Sequence, residues 1–476
     1  MSIHRHARSE LKALARANRA FLRSYPGDRP TRQPVHTFYG GAHLYTAETP
    51  RRLGELALRS LDAYGRDPVE FARAVGLVPG LEAKPGELAW LSAQLQRDPA
   101  RLQRENRSAW LALTVHQRVR AKLSREPVED FRIDFEDGFG ARSDAEEDEV
   151  AVAAARQLAR ALSENLLPPF IGIRIKSLNE EWTARSIKTL DLFISTLVAE
   201  SGGRLPEPFI VTLPKVRVPE QPRALVRLLE VLEKRHGLKH GAISIELMIE
   251  LTQTLLDAKG RSPLPALLAA CEGRCFGAHL GTYDFTASCN ITAAHQRMDH
   301  PLCDLAKGMM LLAYAGRGVF LSDGATNILP VGPHKDAQLS AEQLAENRAA
   351  VHSAWKLAHA HIRHSLEGGF YQGWDLHPAQ LPVRYASCYA FFLESLPQAA
   401  ERLKNFIAKA AHATLAGDVM DDAATGQGLL NYFLRARNCG AIEASEAEQS
   451  GLTASELELR SFAKIIRARA KRLEQA

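Results

Sequence analysis

Ser244-Ile245-Glu246-Leu247-Met248-Ile249-Glu250 and Phe276-Gly277-Ala278-His279-Leu280-Gly281-Thr282-Tyr283-Asp284 decide how this chain is read. Each is a short apolar run of the kind that forms a buried strand, and each ends on an acidic residue. A carboxylate at the carboxyl end of each of two neighbouring strands is how a barrel enzyme presents ligands to a hard, oxygen-loving cation such as Mg²⁺. The two stretches therefore point to a metal-assisted enzyme built on parallel strands.

Working outward, the same rhythm of strand, turn and helix recurs. It predicts strands at Val35 to Gly41, Phe131 to Phe135, Phe170 to Lys176, Phe209 to Lys215, Ile243 to Glu250, Cys275 to Leu280, Gly318 to Ser322 and Phe370 to His377. Capping boxes at Ser143 to Glu146 and Ser340 to Gln343 mark helix starts between them. Alternating strands and helices in that number give an α/β fold, a (β/α)8 TIM barrel, with its site at the carboxyl ends of the strands. The expected organisation is an N-terminal helical arm over 1–34, a barrel over 35–395 carrying a helical insertion at about 67–127, and a C-terminal helical lid over 396–476.

The chain has 476 residues, 46% of them hydrophobic, enough for one large barrel with appended helices. A formal charge of only +5 gives no argument for nucleic acid as a partner. Six scattered cysteines, with Cys271 and Cys275 lacking a second pair at zinc spacing, read as reduced thiols in a cytoplasmic protein. Ser9-Glu10-Leu11-Lys12 interrupts the only candidate leader, and no run reaches membrane-spanning length, so no membrane partner is expected.

The predicted strand ends carry a consistent set of side chains: Asp134, Glu136 and Asp137, then Arg174 and Lys176, Lys215, Glu250, Asp284 and His377. Acids facing basic groups suit a small, multiply charged acid held on a divalent metal. Arg174 is preferred over Lys176 as the carboxylate clamp because its planar fork binds bidentately. Lys215 as a Schiff-base nucleophile is the metal-free alternative, made redundant by the acid pair. His352, His359, His361 and His364 share one helical stretch and read as a solvated face rather than a metal site. His377, before Pro378, reads as a strand cap, and the run from Thr453 to Arg472 as one packed or oligomer-contact helix.

Six segments in order resemble the HpcH/HpaI aldolase and citrate lyase β-subunit family, which takes in malate synthase-like and malyl-CoA lyase-like enzymes. They are Asp134-Phe135-Glu136-Asp137, Arg174-Ile175-Lys176, Leu213-Pro214-Lys215, Met248-Ile249-Glu250, Leu280 to Phe285, and His377-Pro378-Ala379-Gln380. The resemblance implies that Glu250 and Asp284 bind Mg²⁺, or Mn²⁺ in its place, and that Glu136 and Asp137 hold metal-bound waters. It implies that Arg174 clamps the substrate acid, with Lys176, Gly281 and Thr282 also at the substrate, and that Asp421, or Asp422 in reserve, is the proton-transferring acid of a lid. The implied reaction is Mg²⁺-dependent carbon–carbon cleavage through an enolate of a small hydroxy or oxo acid or its CoA thioester, by a homo-oligomer. Tyr39-Gly40-Gly41 departs from the Val-Pro-Gly type turn of the CoA-ester lyases, and Leu251 from the Thr of many relatives. The alternatives are a malate synthase-like acyltransferase or thioesterase, and a barrel that binds a metabolite without turnover.

Overall fold

In a computed structural model of the chain, the strands β1 (His36–Gly41), β2 (Asp130–Asp134), β3 (Phe170–Arg174), β4 (Phe209–Leu213), β5 (Ile243–Ile249), β6 (Cys275–Leu280), β7 (Phe320–Ala325) and β8 (Gln372–Asp375) each pair with the next, and β8 returns to β1. All pairings are parallel, and His36 lies opposite Gly373 where the barrel closes. The structure describes residues 7–29, 31–78, 81, 86–336, 338–415 and 423–474. The (β/α)8 barrel expected from the strand rhythm is the fold observed.

Alternation along each strand sorts side chains between the barrel axis and the helical shell. On β2, Phe131 and Ile133 face the shell, whereas Asp130, Arg132 and Asp134 turn inward and are fully buried. The inward residues form three layers. At the amino end Phe170, Ile210, Phe276 and Phe320 pack as a separate apolar cluster. Arg29 lies beneath them, its guanidinium 5.2 Å from the Phe276 ring centre, and donates to the carbonyls of Cys275 and Gly318. The middle layer is polar, and the carboxyl-end layer holds the acids described below.

Both expected capping boxes are present, Ser143 with Glu146 and Ser340 with Gln343. The stretch at about 67–127 contains the helices Pro68–Val75, Glu87–Arg97, Pro99–Glu105 and Arg107–Arg125, of which the first and the last two start at side-chain caps, Asp67, Asp98 and Asn106. The N-terminal helix Arg8–Ser24 has no buried residue. After β8 a single helix, Leu381–Leu415, runs through the expected boundary at 395/396. It starts beside the carboxyl end of β8 and passes Tyr371, just before β8, where Phe392 stacks on the Tyr371 ring. At 1.5 Å per residue this helix is about 50 Å long, so most of it extends beyond the amino end of the barrel. The helix Ala423–Asn438 packs against that end too, with Arg435 over the Tyr371 ring.

The run from Thr453 to Arg472 is two helices, Ala454–Glu458 and Phe462–Glu474, not the one expected. Arg460 takes a left-handed φ of 50° between them, and the second helix turns back so that Arg469 and Arg472 both reach buried Glu456. Among the described residues no helix is long and apolar enough to cross a membrane.

Candidate active site

The turn after β2 is set by Asp134, whose carboxylate accepts the backbone N–H groups of Glu136 at 2.9 Å and Gly138 at 2.7 Å. β1 approaches this turn so closely that a Cβ on Gly41 would stand 2.2 Å from the Gly138 carbonyl oxygen, which is why Tyr39 is followed by glycines. Asp134 also takes the fork of Arg174, with Nε donating at 2.7 Å and Nη2 to the second oxygen. Burial works to raise the Asp134 carboxyl, but Arg174 outweighs it and holds it below its usual range. Only Nη1 of Arg174 remains for the site, and it stands 3.1 Å from Glu136 and 3.4 Å from Asp137.

Lys215 follows β4 with a left-handed φ of 50°, a conformation that side-chain-bearing residues adopt at a cost and that places it where the acids converge. Its ammonium lies 2.6 Å from Glu136, 3.3 Å from Asp137 and 3.0 Å from Asp284, while its backbone N–H donates to Glu250 at 2.5 Å. Burial would lower the Lys215 pKa, but Glu250, Glu136 and Asp137 prevail and raise it, so the amine is held protonated. A protonated amine is not a Schiff-base nucleophile. Glu250, at the end of β5, is 2% exposed and has its pKa pushed well up by burial and then by the Glu136 charge. Glu136 is raised as well, by burial first. Gly281 is needed beside it, because a Cβ there would lie 2.5 Å from Glu250 Oε2.

Among the expected site residues the structure brings together Glu136, Asp137, Arg174, Glu250, Gly281 and Asp284. Thr282 stands next to them, with a buried hydroxyl that has no hydrogen-bond partner. Lys176 is engaged elsewhere: its ammonium donates to Glu147 at 2.6 Å and to the Phe135 carbonyl at 2.7 Å, and it lies over the Phe139 ring. Asp421 and Asp422 lie outside the described residues. His377 accepts from the Ala379 N–H and caps the turn that follows β8, as expected.

The four histidines of the helix Ala341–Glu367 do not form the solvated face expected of them. His352 bonds the Tyr64 carbonyl, His359 the Ser387 hydroxyl, His361 the Thr326 hydroxyl and His364 the Asp304 carboxylate, because this helix is packed on several sides at once. They face four different neighbours.

The layer beneath the acids was not foreseen from the sequence. Arg132 donates to Glu246 at 2.8 Å, to Thr212 at 3.1 Å and to Asp130. Glu246 also accepts from Thr212 at 2.6 Å, from the Tyr39 hydroxyl at 3.1 Å and from His279 Nε2 at 2.9 Å. His279 Nδ1 accepts from Trp374 Nε1 at 3.0 Å, so the proton of this imidazole belongs on Nε2. Burial raises Glu246, but Arg132 and His279 outweigh it and hold it ionised. The ring of Tyr39 closes the layer from above, with the Arg174 guanidinium 4.8 Å over its face. The signal was available in Asp130-Phe131-Arg132-Ile133-Asp134: charges at every second position of a buried strand must face the axis.

Five acids, Asp134, Glu136, Asp137, Glu250 and Asp284, thus meet two cations, Arg174 and Lys215. Fully ionised, the group carries three excess negative charges, and the raised Glu136 and Glu250 carboxyls register that excess. The donor set therefore fits a divalent cation. Among the described residues no three acid, histidine or cysteine side chains are disposed to ligate one ion directly. Two direct carboxylates with water filling the remaining positions is a set that Mg²⁺ accepts.

A family model described as "Domain of unknown function (DUF6986)" matches residues 14–465. No curated protein matches the sequence. The chain is similar to several solved structures. Haloferax volcanii malate synthase in its magnesium/glyoxylate complex is 16% identical, covering 76% of each chain with a TM-score of 0.39. An HpcH/HpaI aldolase from Desulfitobacterium hafniense DCB-2 is 15% identical over 56% of this chain and 82% of its own, TM-score 0.31. An HpcH/HpaI aldolase/citrate lyase family protein from Burkholderia cenocepacia J2315 is 14% identical over 55% and 90%, TM-score 0.29.

Proposed function

The chain belongs to the DUF6986 family, and we propose that it is a Mg²⁺-dependent carbon–carbon lyase or aldolase acting through an enolate on a small hydroxy or oxo acid, free or as its CoA thioester. One observation carries the reading: Glu136, Asp137 and Asp284 converge on a single cationic centre beside buried Glu250, at the carboxyl end of a closed barrel. Glu250 and Asp284 would hold the ion and Glu136 and Asp137 its waters; Mn²⁺ suits the same oxygen donors. When bound, the ion supplies a Lewis acid that polarises a carbonyl oxygen and stabilises negative charge developing there.

The protein's own groups do the rest. Asp134 fixes two nitrogens of Arg174 in advance, so Nη1 is aimed at a substrate carboxylate once Glu136 and Asp137 turn to the ion's waters. Tyr39 supports that guanidinium from below, and donation to Glu246 holds the Tyr39 hydroxyl in place. Lys215 offers a second cationic contact once its carboxylates turn to the ion. Gly281 leaves room for Glu250, and the buried Thr282 hydroxyl, which has no hydrogen-bond partner, lies against Gly324 of β7.

Proton transfer is assigned to Asp421. The helix Leu381–Leu415 leads away from the mouth of its own barrel, so this carboxylate would reach a mouth from a second copy of the chain, in a homo-oligomer. Mixing inactive Asp421→Asn with inactive Arg174→Lys protein should then restore part of the activity; absence of any restoration removes the shared lid.

A panel of 2-oxo acids, hydroxy acids and acyl-CoA thioesters, assayed with Mg²⁺, with Mn²⁺ and with chelator, tests the reaction. Turnover that survives chelation, or no turnover of any member by protein shown to bind Mg²⁺, would overturn the reading. Release of CoA on condensation with an oxo acid would favour the acyltransferase instead.

A further inference from the structure

A roomy cavity lies at the other end of the barrel from the acids. It has a volume of about 620 Å³ and sits between the segment around Arg29, the amino ends of β7 and β8, and the C-terminal helices. That volume is in the range of small-molecule sites, roughly 300–1,000 Å³, and far above the water-sized voids of a packed interior. The amino end of a barrel of this kind ordinarily serves stability, so a roomy cleft there calls for an occupant.

The lining says what kind. Arg29 stands in the floor with no carboxylate partner among the described residues: two of its nitrogens are spent on the Gly318 and Cys275 carbonyls, and its face rests on Phe276 and Phe320. A cation withdrawn from water in this way is normally paired with an anion. Arg435 projects from the opposite wall, shared between the Tyr371 ring and Asp28, the one acid of the lining. Arg460 adds a third cation, and Gln427, Asn431 and Asn438 add neutral donors. The remaining wall is aliphatic, with Leu311, Val319 and Leu434.

We propose that this cavity binds a small organic anion with an apolar body, its charged head between Arg29 and Arg435 and its body against Leu311 and Leu434. The site is independent of the carboxylate cluster and of the reaction carried out there. A carboxylate head suits the planar forks of the two arginines, and an aliphatic body of several carbons fills the wall opposite.

Calorimetry and thermal melting of the full chain test this with three probes at fixed ionic strength: octanoate, inorganic phosphate and octanol. Octanoate should bind one per chain and raise Tm, in chelated protein and in Glu250→Gln alike, while phosphate and octanol each bind at least tenfold more weakly. Arg435→Gln and Arg29→Gln should each weaken octanoate at least tenfold. Arg435 is half-buried and, among the described residues, forms its ion pair with exposed Asp28, so the first variant folds even if the second does not. No saturable octanoate binding, equal binding by Arg435→Gln, loss of binding in Glu250→Gln, or phosphate as tight as octanoate would each overturn the proposal.

Discussion

The two ends of the barrel are closed by opposite means. At the carboxyl end, carboxylates crowd around Lys215 and the layer is short of positive charge. At the amino end, four apolar side chains stop the barrel, and the Arg29 guanidinium beneath them has no carboxylate partner among the described residues. Both ends belong to the same strands, so the difference arises from which residues fall at the first and the last inward positions. An apolar stopper packs whatever solution surrounds it. A crowd of acids holds its shape only with cations supplied, and it therefore responds to metal, salt and pH.

The sharpest way to break the comparison is to exchange the roles of the ends. Glu250→Gln should lower turnover by about 10³-fold or more with the fold intact, since it removes a proposed ligand, whereas Phe276→Ala should cost about 3–5 kcal/mol of stability and leave turnover per folded molecule unchanged. Urea unfolding and steady-state rates on both variants check this; a catalytic defect in folded Phe276→Ala would mean that the ends are not separate.

Asp134→Ala tests whether the upper layer is structurally tense. It leaves the Arg174 guanidinium buried and without its main partner, which should cost about 3–5 kcal/mol in urea unfolding as well as activity. A loss under about 1 kcal/mol would show the pair to be solvated like a surface one.

Lys215→Met sharpens the electrostatic side. Without the ammonium the chelated protein should melt several degrees lower, on the order of 1–2 kcal/mol, and Mg²⁺ should restore more stability to it than to the parent, because no built-in cation competes. Equal Mg²⁺ midpoints in the two proteins would place the ion away from Lys215.

The smallest effect lies outside both ends. Burial lowers the His359 pKa to about 4. The unfolded state then takes up the proton first, so its contribution is fully present above the ordinary histidine pKa and falls away as pH drops toward 4. On the order of 1 kcal/mol should be lost between about pH 7 and pH 5.5, and His359→Gln should flatten that part of the stability profile.

The strands and the acids at their ends were legible in the sequence because both follow from local pattern: apolar runs of strand length, with β2, β5 and β6 followed by Asp or Glu. The polar middle layer was half legible. Charges alternate visibly along β2, but the partners that make Arg132 tolerable, Thr212 and Glu246, come from β4 and β5, and only closure of the barrel brings them together. Lys215 was legible as a basic group facing the acids, but its contacts with Glu136, Asp137 and Asp284 were not, since its left-handed backbone decides where the ammonium goes. The histidine helix misled for a related reason: helical spacing says which residues share a face, not what packs against it.

Arg29 joins residues made early in synthesis to others made late, for its carbonyl partners lie 246 and 289 residues further along the chain. A ribosome delivers that arginine long before β6 and β7 exist, and β1 must likewise wait for β8. The segment around Arg29 is therefore among the last to find its place, and the barrel stays open at its floor until β6, β7 and β8 have emerged. During that interval the aromatic stopper is exposed, which makes it the part of the nascent protein most in need of a chaperone's protection.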